Sequence, residues 1–148
     1  DNPAPNHSLA AADKLVKKTD PIDWTESGPI YRYPINGAIA TPDAGTVVPA
    51  GRLDISGYVL PTGLRDSRAQ RIEISTDNGI NWTVAKTTGQ DSAFCWQLWN
   101  SRVKVTSRTN SLIMRAFDSS GGFMPQRVPW NAKGYLQNSW YRLPITCS

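Results

Sequence analysis

From residue 36 onward the chain is written in short alternating runs separated by turns, and that pattern excludes most folds. "RLDISGYVL" (52–60) puts Leu53, Ile55 and Val59 on one face and Asp54 and Ser56 on the other, the period of two that a half-buried strand requires. "RIEIS" (71–75) repeats it with Ile72 and Ile74. In "STDNGINWTV" (75–84), Asp77-Asn78-Gly79 lies between two such runs; these residue types tolerate positive φ and mark a hairpin turn. A strand "NWTVAK" (81–86) follows. "FCWQLWN" (94–100) sets Phe94, Trp96 and Leu98 against Cys95, Gln97 and Trp99. Trp96 and Trp99 therefore point to opposite faces, and one of them belongs to the core. "SLIMRAFD" (111–118) is apolar on both faces, as a central strand is, and "DSSGG" (118–122) is a turn. "SWYRLPIT" (139–146) ends the chain with a strand that Pro144 marks as an edge or a bulge. No useful helical period interrupts the series. The expectation is an all-β, antiparallel sandwich of about seven strands.

The first 35 residues read differently. Prolines stand at 3, 5, 21, 29 and 34, and each removes a donor and restricts the residue before it. Between them "SLAAADKLVKK" (8–18) fits a short helix capped by Ser8, with lysines near its C-terminal end. Residues 1–35 are thus expected to be an extended arm or linker, and 36–148 one domain. A chain of 148 residues can bury roughly 68–70% of its unfolded surface without staples, and six tryptophans supply much of that area.

The same residues exclude several functions. A net charge of +4, spread over loose groups such as Arg65, Arg68 and Arg71 or Arg102, Lys104 and Arg108, lacks the dense stripe and module of a nucleic-acid binder. No run approaches the roughly 20 apolar residues of a membrane helix. The single histidine, His7, lies in the arm, so no nucleophile–histidine pair is available in the domain. Asp77 and Asp118 sit in turns, where aspartate serves local hydrogen bonds. There is no CxxC, and a Trp about a dozen residues beyond Cys95, which an immunoglobulin disulfide pattern expects, is replaced by Ser107. Cys95 and Cys147 leave the redox compartment open. The sequons at Asn6 and Asn81 carry no weight alone. The chain by itself holds no catalytic apparatus, metal ligands or cofactor site in this reading.

Several stretches taken together resemble a known family. "DWTESGPIYRYPINGAIATP" (23–42), "GYVL" (57–60), "RIEISTDNGINWTVAK" (71–86), "FCWQLWN" (94–100), "RAFDSSGGFMPQ" (115–126) and "WNAKGYLQNSWYRLPI" (130–145) are similar, in order and spacing, to the C-terminal dimerisation domain of molybdenum-cofactor oxidoreductases of the sulfite oxidase and nitrate reductase family. The resemblance implies an immunoglobulin-like β-sandwich over 36–148 that forms a homodimer. It also implies a preceding domain carrying the molybdenum cofactor, of which the arm 1–35, beginning Asp1-Asn2-Pro3 without Met, is the expected tail. The chain would then be a dimerising and pocket-completing piece of an oxidoreductase, with neither nucleic acid nor membrane as partner. In sulfite oxidases the matching loop reads Trp-Asn-x-Arg-Gly, and its arginine reaches the oxyanion pocket. Here that position is Lys133, a point charge without the planar two-pronged donor of arginine. Trp130 and Asn131 are expected to support the loop. "PTGLRDSRAQ" (61–70) departs from the shorter glycine-rich turn of the family and is expected to alter an interface edge. The alternative reading is a free-standing immunoglobulin-like module that binds protein or carbohydrate.

Overall fold

The computed structural model describes residues 33–62, 64, 66–89, 92–128 and 136–148. The helix expected over 8–18, the rest of the arm to residue 32, and Trp130, Asn131 and Lys133 lie outside them. Ten strands follow in chain order: β1 Asn36–Thr41, β2 Val47–Val48, β3 Gly51–Leu60, β4 Ala69–Ser75, β5 Thr83–Val84, β6 Lys86–Thr88, β7 Gln97–Val105, β8 Ser111–Asp118, β9 Tyr141–Pro144 and β10 Thr146–Cys147. They form two four-stranded antiparallel sheets, β1-β3-β7-β6 and β5-β4-β8-β9, with a small parallel ribbon, β10-β2. Among the described residues there is no helix, so the described part of the chain is all-β, as its alternation requires.

The count exceeds seven because β2, β5, β6 and β10 are pieces of two or three residues, too short for alternation to announce. The run expected as one strand, "NWTVAK", is split. Thr83–Val84 pairs with β4 in one sheet, Lys86–Thr88 pairs with β7 in the other, and buried Ala85 is the crossing point. β7 starts at Gln97, later than expected, and runs on to Val105. Phe94, at φ 61°, and Cys95 therefore lie in the preceding turn, and Cys95 is exposed rather than inward. The hairpin and turn readings hold: Asn78 (φ 61°), Gly79 (φ 88°) and Gly121 (φ 89°) all occupy the left-handed region. Pro144 lies on β9, at the edge of its sheet.

Inward residues of both sheets make one core. Ile39, Ile55, Val59, Trp99, Val103 and Val105 of the first sheet meet Ile72, Ile74, Leu112, Met114, Ala116 and Leu143 of the second. Trp99 is 1% exposed. It fits because the inward position between Ile55 and Val59 is Gly57, opposite Trp99 in the ladder. A Cβ at Gly57 would lie 2.7 Å from Trp99 Cε2, and closer still to Trp99 Cζ2 and the Ala38 carbonyl. Gly37 makes the same allowance for Met114, whose Cε would be 2.7 Å from an added Cβ.

Candidate functional site

Lys133, Trp130 and Asn131 lie outside the described residues, but both flanks of their loop are on view, and they are tied together. On the near side, Phe123 bridges to Phe117 and the Met124 amide donates to the Ala116 carbonyl at 2.9 Å, which lays the chain along β8. On the far side, Leu136 takes φ 59°, and the buried Asn138 side chain then does two jobs. Its Nδ2 donates to the Ile35 carbonyl (3.2 Å) and to the Phe123 carbonyl (3.3 Å), using both protons of one amide. The Trp140 amide donates to the Pro125 carbonyl at 2.8 Å, and Asn36 Nδ2 donates to the Gln137 carbonyl at 3.2 Å. The described residues on the two sides of 129–135 are thus fixed to each other and to the start of β1. Each such bond contributes about 1 kcal/mol net. Asn138 was not singled out in the sequence, since one Asn among "LQNSW" carries no sign that it is buried.

The outer face of the second sheet braces the same stem. Arg115 Nε donates to Glu73 Oε2 at 2.6 Å, and Arg71 Nε lies 3.3 Å from Glu73 Oε1. The Arg115 guanidinium lies 3.9 Å from the centre of the Trp82 ring, 5.5 Å from Phe117 and 5.6 Å from Trp140. Arg71 covers Phe117 at 4.5 Å, and Trp82 meets Trp140 edge-on at 4.9 Å. A planar guanidinium can hold a carboxylate in its plane and an aromatic ring on its face at once, so Arg115 links β4, β8 and the loop stem.

The stem also forms one wall of a groove of about 340 Å³, where Gln137, Trp140 and Arg142 face Asn36, Tyr58 and Trp96. A shallow hollow of about 270 Å³, lined by Tyr58, Trp96 and Leu98, adjoins it. Tyr58 and Trp96 meet edge-on at 4.7 Å. Trp96 and Leu98 are each 56% exposed while Trp99 is buried, so the opposed-face reading of the two tryptophans holds.

The two turn aspartates are structural. Asp118, 2% exposed, accepts from the amides of Thr62, Ser120 and Gly122 and from Ser120 Oγ. Burial pushes its pKa up, but these hydrogen bonds outweigh burial and leave it lowered. The Asn81 amide, first among several donors, lowers Asp77 to about 2. Among the described residues no three His, Cys, Asp or Glu side chains come together as a metal site requires. The geometry offers a rigid stem for one loop and an aromatic surface beside it.

The class of protein that the geometry defines is an all-β sandwich with a braced loop stem and an exposed aromatic corner. The chain belongs to the Mo-co oxidoreductase dimerisation domain family, whose model matches residues 27–148. It is 32% identical to the sulfite oxidase of Gallus gallus over 130 residues, covering 83% of this chain and 28% of that protein. It is 30% identical to the sulfite oxidase of Arabidopsis thaliana over 137 residues, 84% of this chain and 34% of that one. To the nitrate reductase [NAD(P)H] of Hordeum vulgare it is 29% identical over 125 residues, 75% of this chain and 14% of the relative. The chain thus spans about a third or less of the curated relatives it matches. Among solved structures, the sulfane dehydrogenase SoxCD from Paracoccus pantotrophus superimposes with a TM-score of 0.62 at 24% identity over 74% of this chain and 29% of that one, a likeness of fold.

Proposed function

We propose that this chain is the homodimerising, substrate-pocket-completing domain of a molybdenum-dependent oxidoreductase resembling sulfite oxidase, and that Lys133 is its contribution to the pocket. The molybdenum cofactor would belong to a preceding domain, which residues 1–35 join to this one. The strand order supports the immunoglobulin-like reading. With β1, β3, β4, β6, β7, β8 and β9 lettered A to G in chain order, β1-β3-β7-β6 is A-B-E-D and β4-β8-β9 is C-F-G, with β5 beside C.

The observation that carries the pocket role is the pinned stem. A loop that presents one cation to a neighbouring domain must be held at its base, because a misplacement of about 1 Å can cost on the order of 10²-fold in rate. Here Asn138, Trp140 and Arg115 fix the exit of the loop to Ile35, Phe123, Pro125 and Trp82. Lys133 would supply a point charge suited to an oxyanion, with Trp130 and Asn131 assigned to the support of its loop.

The test uses the full-length parent enzyme. Lys133→Met should raise KM for its anionic substrate by about tenfold, the loss of one charge-assisted contact of roughly 1.5 kcal/mol. Lys133→Arg should retain most of the affinity. An unchanged KM in Lys133→Met would remove Lys133 from the pocket.

A further inference from the structure

We propose that Asn78-Gly79, apart from any pocket or interface, is a latent site of deamidation to isoaspartate, and that the Ser75 hydroxyl holds the reaction off in the folded domain. The reaction needs only water. The Gly79 backbone nitrogen gives up its proton and bonds to Asn78 Cγ. The Cγ–Nδ2 bond breaks, and Nδ2 takes up a proton and leaves as ammonia. Water then opens the cyclic imide. Opening at the main-chain carbonyl of residue 78 reroutes the backbone through Cγ as isoaspartate, and opening at Cγ gives ordinary aspartate. Nothing is oxidised or reduced. Glycine obstructs the attack least, because it has no side chain. Asn78 is exposed, and its side-chain amide has no hydrogen-bond partner among the described residues, so the carbon attacked and the group that leaves both face water.

The fold needs both residues of the reactive pair. Asn78 and Gly79 occupy the left-handed region, at φ 61° and 88°, where asparagine and glycine are least strained. A Cβ on residue 79 would lie 2.8 Å from Trp140 Cζ3 and 3.3 Å from Trp82 Cζ2. Protection therefore falls to the neighbours. The Gly79 N–H donates to Ser75 Oγ at 2.8 Å. Ser75 is buried, and its hydroxyl also donates to Asp77 Oδ1 at 2.7 Å and accepts from the Asp77 amide at 3.3 Å, so its one donor and two acceptor sites are all in use. Trp82 Nε1 donates to the Gly79 carbonyl at 3.1 Å, and Asn81 holds Asp77 through its amide (2.9 Å) and its Nδ2 (2.7 Å). The attacking nitrogen thus keeps its proton against a buried acceptor and cannot turn toward Asn78 Cγ until the turn opens. The sequence holds one other Asn-Gly pair, Asn36-Gly37. Its glycine lies in the β1 ladder opposite Val59 and donates to Oδ1 of Asn36 itself at 2.8 Å, so it is an internal control that Ser75 does not touch. Isoaspartate at position 78 would add a main-chain atom to the turn and a negative charge beside Asp77. Gly79 would then shift against Trp140, whose amide holds the Pro125 carbonyl.

Peptide mapping by mass spectrometry, on the 148-residue chain aged at mildly alkaline pH, reads each asparagine separately, since deamidation adds one mass unit and the isoaspartyl peptide elutes apart from the aspartyl one. In the folded wild type Asn78 should react at least about tenfold more slowly than in the same chain unfolded in urea. Ser75→Ala should raise the folded rate at Asn78 about tenfold, as a turn short of one or two hydrogen bonds opens more often. It should leave Asn36 within about twofold, as an independent site. Circular dichroism shows whether each variant folds. Should Ser75→Ala fail to fold, Asn81→Ala takes its place: at an exposed position it frees Asp77 Oδ2 and should raise the Asn78 rate about threefold. A folded variant that reacts at the wild-type rate, or that speeds Asn36 and Asn78 alike, overturns the guarding role of Ser75. A wild type that reacts as fast folded as unfolded overturns the latency itself.

Discussion

Gly57→Ala is the smallest change that tests how the core is built. The added Cβ would meet the Ala38 carbonyl of β1 and the ring of Trp99, with Cε2 at 2.7 Å and the other two atoms nearer. Normal contact therefore demands a shift on the order of an ångström. Neither neighbour can give way cheaply. The carbonyl belongs to a ladder whose strand spacing is fixed near 4.8 Å by its hydrogen bonds, and Trp99 is a rigid ring at 1% exposure between two sheets. Overpacking a core costs typically 1–3 kcal/mol, and contact with a neighbouring backbone puts this site at the top of that range. The stiffer unfolded chain returns about 0.4–1 kcal/mol, leaving a net loss of about 2–3 kcal/mol. For a domain of this size that lowers Tm by roughly 5–10 °C and shifts the urea midpoint by about 1–2 M. Thermal and urea unfolding followed by circular dichroism measure both. In Gly57→Ala/Trp99→Phe the smaller ring should recover part of the loss, and the carbonyl contact should prevent full recovery. A loss below about 1 kcal/mol for the single variant would refute the claim that Gly57 is the slot for Trp99.

Acid should destabilise the domain through its turns. Asp77 and Asp118 have folded pKa values below the ordinary 3.8, so their contribution is complete above that value and is lost as pH falls through the folded pKa, near 2 for Asp77. Urea midpoints between pH 6 and pH 2 should therefore fall steeply below about pH 4, and Asp118→Asn should lie lower at neutral pH with a flatter acid limb; parallel limbs would dismiss the carboxylate. Arg115→Met should cost about 2 kcal/mol, by removing the nearer of the two guanidinium partners of the nearly buried Glu73 while Arg71 stays 3.3 Å from its other oxygen. Glu73→Gln/Arg115→Met should recover most of it in a double-mutant cycle, and simple additivity would count against the pairing.

How much of this was legible in the chain depends on the range of the interaction. Strands β3, β4, β7 and β8 announce themselves because one face is buried and one is not, and the period of two is a local property. The Asn78-Gly79 and Gly121 turns are local as well. β1 is quieter: Gly37, Ala38 and Ala40 supply little contrast, because Gly37 must admit the Met114 side chain. The parallel pairing of Thr146–Cys147 with Val47–Val48 joins positions a hundred residues apart, for which two-residue strands leave no trace. The stacking of Arg115 on Trp82, and near Trp140, likewise depends on a register that only the folded sheet defines. Lys133 is proposed by a different route, a loop motif resembling that of a family, and periodicity would never have raised it.

The two proposed roles share a corner of the molecule. Tyr58 and Trp96 line both the hollow on the sheet face and the groove whose opposite wall is the loop stem, Gln137 to Arg142. A partner seated on the hollow would therefore bear on the same side chains that border the base of the Lys133 loop. A second copy seated there would make dimerisation and pocket completion mechanically adjacent, with Trp96 between them. A substitution at Trp96 should then change KM in the full-length parent as well as self-association, whereas Arg52→Glu, at the far end of the face, should change neither. Such paired responses would separate an interface that supports the loop from one that merely lies on the same sheet.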